Sequence, residues 1–345
     1  MVERYRGRRT AYFAFCFWAV VFVLLIALPY LRQAYSTFSR IPENKNAGIE
    51  SPAAKSDAEW PLTKFDALGR EVTLAKPPER IVSLSPAITE TVFALGAGGR
   101  LVGRSDFCNY PPEVAYIKSI GGLLNPSLED IVLLQPDLVF VQKVSPREIV
   151  ERLGEAGVAV FAVDEATSLN GVLETIRIIG IMCASRDNAI RLEFEKSALM
   201  AEYKSRRRAH AWRVYFGGVE APYYTAGEGT FIDDLISLAG ARNIASGEGR
   251  ERKSSQGWPQ LSPEEIASAD PEVILVGHSP LVAGKDATDS ILSAARKNPA
   301  FRNTSAVKYG RICVIDQDEL LRPGPRIFNA LEKFSAYLDG LEDVE

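Results

Sequence analysis

A fifteen-residue pattern occurs twice in this chain without a gap, and the second copy limits the fold more than any single motif does. In the first copy Ser127-Leu128-Glu129-Asp130-Ile131 leads through Gln135-Pro136-Asp137 into Leu138-Val139-Phe140-Val141. In the second, Ser262-Pro263-Glu264-Glu265-Ile266 leads through Asp270-Pro271-Glu272 into Val273-Ile274-Leu275-Val276, at a constant offset of 135 residues. Each copy reads as a short capped helix, a proline stop and a buried strand. Ser127 and Ser262 stand where an N-cap belongs, and the acids after them oppose the positive end of the helix dipole. Four apolar residues in a row suit a strand covered on both faces. Arg80-Ile81-Val82 and Arg213-Val214-Tyr215 open the two halves. Helices closing at Leu95-Gly96-Ala97 and Leu238-Ala239-Gly240-Ala241 follow, with glycine where helix C-termini favour it. So long a period excludes a solenoid. It predicts two similar α/β lobes, and two lobes make a cleft.

The 345 residues are enough for two ordinary domains. The N-terminus stands apart from them. Arg4, Arg6, Arg8 and Arg9 precede an unbroken apolar run over 11–31, about the 20 residues that a bilayer span requires. Arginines before the run outnumber Arg32 after it, which places residues 1–10 in the cytoplasm and the remainder outside. The run is longer than a secretory signal core, and Arg32-Gln33-Ala34-Tyr35 is a poor cleavage site, so an uncleaved anchor is expected, with a cleaved signal as the alternative. Cys16 lies inside the run and no cysteine follows closely enough to carry a lipid. Residues 32–60 mix Ser, Pro, Asn, Lys and Ala without periodicity and read as a tether. The net charge of −4 includes a basic N-terminus, so the exported part is more acidic still and ill-suited to nucleic acid. Cys108, Cys183 and Cys313 have no paired spacing, and the sequence leaves their redox state open.

A hairpin is expected around Leu68-Gly69-Arg70, over 65–74. From Arg80 onward strands and helices alternate, which implies parallel sheets covered by helices. The expected division is an N-terminal lobe over 61–185, a connecting helix over 186–209 and a C-terminal lobe over 210–345. The connector has no Gly or Pro over 187–205. Ile190, Phe194, Ala198 and Ala201 form one apolar stripe and Leu192, Leu199 and Tyr203 another, which predicts a helix gripped on two sides.

Reacting constellations are missing from the sequence. The two histidines, His210 and His278, lack metal-ligand spacing, and neither a phosphate-binding P-loop nor a G-x-S-x-G elbow occurs. Gly96-Ala97-Gly98-Gly99 follows a helix instead of linking strand to helix, so it cannot cradle phosphate. The loops are aromatic instead: Phe107-Cys108-Asn109-Tyr110-Pro111-Pro112 after the second strand, Tyr223-Tyr224-Thr225 after the strand that opens the second half, and Gly257-Trp258-Pro259-Gln260 before the second repeat helix. Ligands of α/β sheets sit at such loops, and flat aromatic faces suit a large, flat, partly apolar ligand. The competing reading is that each aromatic caps its own lobe.

These segments carry a family resemblance. Residues 61–341 resemble the substrate-binding component of cobalamin and ferric-siderophore ABC importers, the class with a helical backbone between lobes. The likeness rests on Arg80-Ile81-Val82-Ser83-Leu84-Ser85-Pro86-Ala87-Ile88-Thr89-Glu90, the Asn109-Tyr110-Pro111-Pro112-Glu113 turn, Asn125-Pro126-Ser127-Leu128-Glu129 and Trp258-Pro259-Gln260. The last three favour the cobalamin branch. The resemblance implies two Rossmann-like lobes, no catalysis and no resident cofactor. It implies a corrinoid held by Phe107, Tyr224, Trp258 and Asp318, with Tyr110 beside them. It also implies a permease dimer with its ATPase subunits as partner, met by Glu129 on one lobe and Glu264 on the other. Taken without the resemblance, those two acids read as first-turn dipole partners. Leu123 and Gln142 stand where relatives carry further tryptophans, which keeps a corrinoid variant, haem or a ferric siderophore open. Arg322 and Arg326 would suit an anionic ligand, with a purely structural role as the alternative for Arg326 at a helix start. A ligand sensor or an exported enzyme on the same scaffold are the readings from other classes.

Overall fold

The computed structural model of the chain describes residues 60–246, 256–279 and 285–342. The expected anchor over 11–31 and almost all of the tether lie outside these residues. Among the described residues no helix is long and apolar enough to cross a membrane.

A hairpin of β1 (Leu62–Phe65) and β2 (Glu71–Leu74) comes first, its first strand beginning three residues earlier than expected. Two parallel sheets follow. In the first, β3 (Ile81–Ser83), β4 (Leu101–Arg104), β5 (Lys118–Ser119), β6 (Leu138–Gln142) and β7 (Val160–Val163) lie in the order β5-β4-β3-β6-β7. In the second, β8 (Arg213–Phe216), β10 (Arg242–Asn243), β12 (Val273–His278) and β13 (Ile312–Asp316) lie in the order β10-β8-β12-β13. Within the second half, β9 (Tyr223–Tyr224) pairs with β11 (Gln260–Leu261) as a small antiparallel ribbon. The helices are α1 (Pro86–Ala94), α2 (Leu128–Leu133), α3 (Arg147–Glu155), α4 (Leu169–Met182), α5 (Arg186–Ser205), α6 (Phe231–Leu238), α7 (Pro263–Ala269), α8 (Lys285–Lys297), α9 (Ser305–Tyr309), α10 (Gln317–Leu321) and α11 (Ile327–Glu342).

The duplication survives down to single hydrogen bonds. Ser127 Oγ accepts from Asp130 N and Ser262 Oγ from Glu265 N, so both repeat helices carry the expected cap. Gln135 (φ 46°) and Asp270 (φ 43°) both leave their helix in the left-handed region. Arg80 donates to the Leu134 carbonyl at the end of α2, and Arg213 donates to the Ala269 carbonyl at the end of α7. Asp137 accepts from Arg80 N, and Glu272 accepts from Arg213 N. The strands then align alike: Ile81 opposite Leu138 and Val214 opposite Val273. In both lobes, an arginine at the start of the central strand ties off the helix that precedes the neighbouring strand.

The apolar runs alternate between faces as a two-sided sheet requires. Ile81, Leu138, Phe140, Phe161, Val163, Val214, Phe216, Val273 and Leu275 all face one continuous core that also takes in α1, α4, α6 and α11. Val82, Val139, Val141 and Ala162 face a separate core on the far side of the first sheet, and Tyr215, Ile274 and Val276 one on the far side of the second. The two lobes therefore share their inner core.

This corrects the expectation for the connector. The helix α5 is present, but only one of its stripes is used: Ala189 and Tyr203 are buried and Leu192 and Leu199 pack on the shared core. Ile190 and Phe194 remain in solvent, Phe194 with 70% of its surface exposed. Two-sided burial failed because α4 covers the one face and nothing among the described residues lies on the other. Cys108, Cys183 and Cys313 are all free and buried. Burial pushes the thiols of Cys183 and Cys313 up to about 12.

Candidate functional site

The loop after β4 is fixed from below and decorated above. Ser105 N donates to the Ser83 carbonyl and Asp106 N to the Gly121 carbonyl, continuing the sheet by one residue on either side. Cys108 is buried with its Sγ 3.1 Å from Thr89 Oγ1 and 3.2 Å from Ser105 Oγ. With Cys108 pinned, its neighbours turn outward: Phe107 is 64% exposed and Tyr110 is 42% exposed. The ring of Phe107 lies over Gly122, where an added Cβ would stand 3.6 Å from its Cε2. Sequence reading passed over this cysteine because a lone thiol with hydroxyl neighbours has no linear signature.

The aromatics of the second lobe are set by β9 and β11. Gln260 lies opposite Tyr224, and Thr225 N donates to the Pro259 carbonyl at 3.0 Å, so Tyr224 and Trp258 share one end of the ribbon. Gly217 ends β8 at φ 135°, and an added Cβ would come within 2.6 Å of the Tyr224 carbonyl oxygen. Only glycine permits that approach. Trp258 rests one side on Phe216 and Phe231, each with its ring centroid 6.2 Å away, and leaves half its surface in solvent. Tyr224 is 58% exposed. Tyr224 and Trp258 together make a small exposed aromatic surface on a fixed backbone, and it is their adjacency more than their exposure that marks a candidate ligand surface.

Charged groups from both lobes meet beside the Phe107 loop. Glu90, buried on α1, accepts from Arg326 through Oε2 and Oε1, each at 2.8 Å, and from Arg322 at 2.9 Å. Arg322 also donates to Asn109 Oδ1 at 2.7 Å and to the Phe107 carbonyl at 3.3 Å, and it pairs with Asp318 at 2.9 Å. Asn109 Nδ2 donates to Asp318 Oδ2 at 2.8 Å. The Arg326 guanidinium stands 4.0 Å from the Tyr110 ring centroid, a cation–π contact across the lobes. Burial alone would lower the Arg326 pKa, but the bonds and charge of Glu90 outweigh it and leave the group more firmly charged. A short turn through Gly324 backs this contact; an added Cβ there would lie 3.4 Å from the Ala87 carbonyl oxygen.

Phe107, Tyr110 and Asp318 thus belong to one network that spans both lobes, whereas Tyr224 and Trp258 form a pair on the second lobe. Arg322 and Arg326, read from sequence as suited to an anion, are already paired, with Glu90 of the opposite lobe and, for Arg322, with Asp318 of their own. Glu90 and Asn109 lay inside the quoted motifs, but their role depends on partners more than 200 positions away. Leu123 packs on the first lobe's outer core, and Gln142 closes β6 half-buried. His210 bonds Glu272 at 3.0 Å and stacks edge-on against Trp212, a structural post. His278 Nδ1 lies 3.2 Å from the Ser279 carbonyl. Among the described residues no group of His, Cys, Asp and Glu could hold a metal ion.

Glu129 and Glu264 are exposed in the first turns of α2 and α7 and have no side-chain partner among the described residues. Each helix runs back against the strand that follows it, so its N-terminus lies at the strand-end face of its own sheet. The neighbouring acids are occupied: Asp130 pairs with Lys118, and Glu265 closes a capping box on the Ser262 N–H at 2.7 Å.

Two lobes of like topology, with exposed aromatics at their strand ends, are the architecture of a ligand-binding protein. The family model for periplasmic binding protein matches residues 81–319, and the chain belongs to that family. It is 32% identical over 295 residues to a cobalamin-binding protein of Halobacterium salinarum, covering 83% of this chain and 77% of the relative. It is 28% identical over 305 residues to an ABC transporter substrate-binding lipoprotein of Bacillus subtilis, covering 84% and 91%. The structure of a periplasmic heme-binding protein from Roseiflexus sp. RS-1 superposes with a TM-score of 0.64 at 30% identity, covering 75% of this chain and 97% of that one. Like these relatives, the chain is a binding protein and not an enzyme.

Proposed function

We propose that this chain is a membrane-tethered, extracytoplasmic substrate-binding protein that delivers a corrinoid to an ABC importer. The observation that carries the reading is the placement of Phe107 and Tyr110 on one lobe and Tyr224 and Trp258 on the other, all exposed at strand-end loops. A corrin ring offers two broad faces to such surfaces, and Asp318, already bonded to Arg322 and Asn109, would accept one further hydrogen bond from a peripheral amide. The similarity to a cobalamin-binding protein supports the ligand class, and that to an ABC substrate-binding lipoprotein supports the partner. The apolar run over 11–31 would hold the binding lobes, 61–185 and 210–345 with the helix over 186–209, at the outer face of the membrane. Glu129 and Glu264, one per lobe, would meet the two halves of a twofold permease.

A haem ligand is the second reading, favoured by the likeness to the Roseiflexus structure. Absorbance titration of the purified chain with cyanocobalamin, haem and a ferric siderophore decides between them. Saturable binding of cyanocobalamin with weaker binding of the other two is expected. Tight haem binding with cobalamin ignored would reverse the assignment.

A further inference from the structure

We infer that Glu90 is a specificity-determining residue: together with Asp318 it offsets the charge of Arg322 and Arg326, and so keeps the cleft from accepting a ligand with free carboxylates. This rests on the reading of the aromatic cleft as the ligand site. Two guanidinium groups beside a pocket of flat aromatics would ordinarily be a receptor for a planar dianion such as haem, since Arg binds carboxylates bidentately and strongly. Here that capacity is already spent. Glu90 takes both Arg326 bonds and one from Arg322, and Asp318 takes another, so two cations face two carboxylates. Two further Arg322 bonds go to Asn109 and to the Phe107 carbonyl. Glu319 and Asp316 add further negative charge near Arg326, although Glu319 is itself held by Lys333, while Arg104 is turned onto the carbonyls of Val114 and Ser105.

The bidentate bond is internal and buried, whereas a propionate would have to displace Glu90 and leave that carboxylate without a partner. An unpaired buried carboxylate is heavily penalised, so displacement is unfavourable even for a ligand of the right shape. A corrinoid edge made mostly of neutral amides asks for no such exchange, since it brings no carboxylate to compete with Glu90 for the guanidinium groups.

The test uses Glu90→Gln, which keeps the shape and one acceptor but removes the charge, together with Asp318→Asn, which unloads Arg322 at a less buried position. Haem and cyanocobalamin are titrated into wild type and both variants at low and high salt, with a thermal melt of each. The haem affinity itself is expected to rise at least about tenfold in either variant, or about 1.4 kcal/mol, and that gain to shrink as salt is raised. Where Glu90→Gln does not fold, the melt shows it and Asp318→Asn carries the comparison. Haem affinity unchanged in the folded variants, or wild type binding haem as tightly as they do, would overturn the inference and leave Glu90 as a lobe fastener only. Failure of wild type to bind cobalamin would instead remove the corrinoid reading, with the haem comparison still read on its own.

Discussion

Glu90 on the first lobe holds Arg326 on the second through two parallel bonds of 2.8 Å, and both side chains are almost wholly out of solvent. A buried pair of this kind is poorly replaced by half of itself, because the survivor keeps its charge and loses its partner. Glu90→Ala is expected to lower unfolding free energy by about 3 kcal/mol, read from urea melts. A loss of a few tenths would mean that water reaches Arg326 and that the lobes are fastened elsewhere.

The lobes are expected to move little when ligand binds. Residues from both sheets and from α1, α4, α6 and α11 enter one core, so opening the cleft would separate packed side chains as well as the Glu90 network. Small-angle scattering with and without ligand should give the same radius of gyration within error. A clear contraction on binding would show a hinged protein.

Glu129 and Glu264 are expected to act on the permease without touching ligand. Exposed charges chiefly set encounter and register. Changing both to Lys should abolish uptake in cells while ligand affinity stays unchanged, with a small loss of stability from each helix N-terminus, about 0.5 kcal/mol. Normal uptake would reduce them to dipole partners, and lost ligand binding would move them into the cleft.

The hairpin should give the protein an acid-sensitive element. Burial alone would raise the pKa of Asp66, but the backbone N–H and guanidinium of Arg70 and the Ala162 N–H hold its carboxyl below the ordinary 3.8. A depressed carboxylate contributes stability above its unfolded value of 3.8, and that contribution is lost as pH falls through the lower folded value. Asp66→Asn should therefore cost stability near neutral pH and flatten the acid limb of the stability profile. An unaltered acid limb would show that Asp66 titrates alike in folded and unfolded chains.

Much of this was legible because it is local. A serine cap, first-turn acids, a proline stop and an apolar run are read within fifteen residues, and they placed α2, β6, α7 and β12 correctly. The exposed aromatics followed from the same logic, since loops after strands are short and their large side chains have few places to hide. What failed was relational. Arg322 looked available to an anion, and Arg326 stayed open between an anion and a structural role, because Glu90, which bonds both, arrives from the opposite lobe. The stripe of Ile190 and Phe194 on α5 looked buried because periodicity shows that a face exists, and packing alone decides whether it is covered.

The central claim is that one ligand is held between aromatics of both lobes. Isothermal titration of cyanocobalamin into the full-length chain, Phe107→Ala, Trp258→Ala and the double variant tests it most directly. One site is expected in wild type, with each single change weakening binding by about 2 kcal/mol or more and the double change weakening it further. Affinity unchanged by either substitution, or sensitive to only one lobe, would contradict a shared cleft.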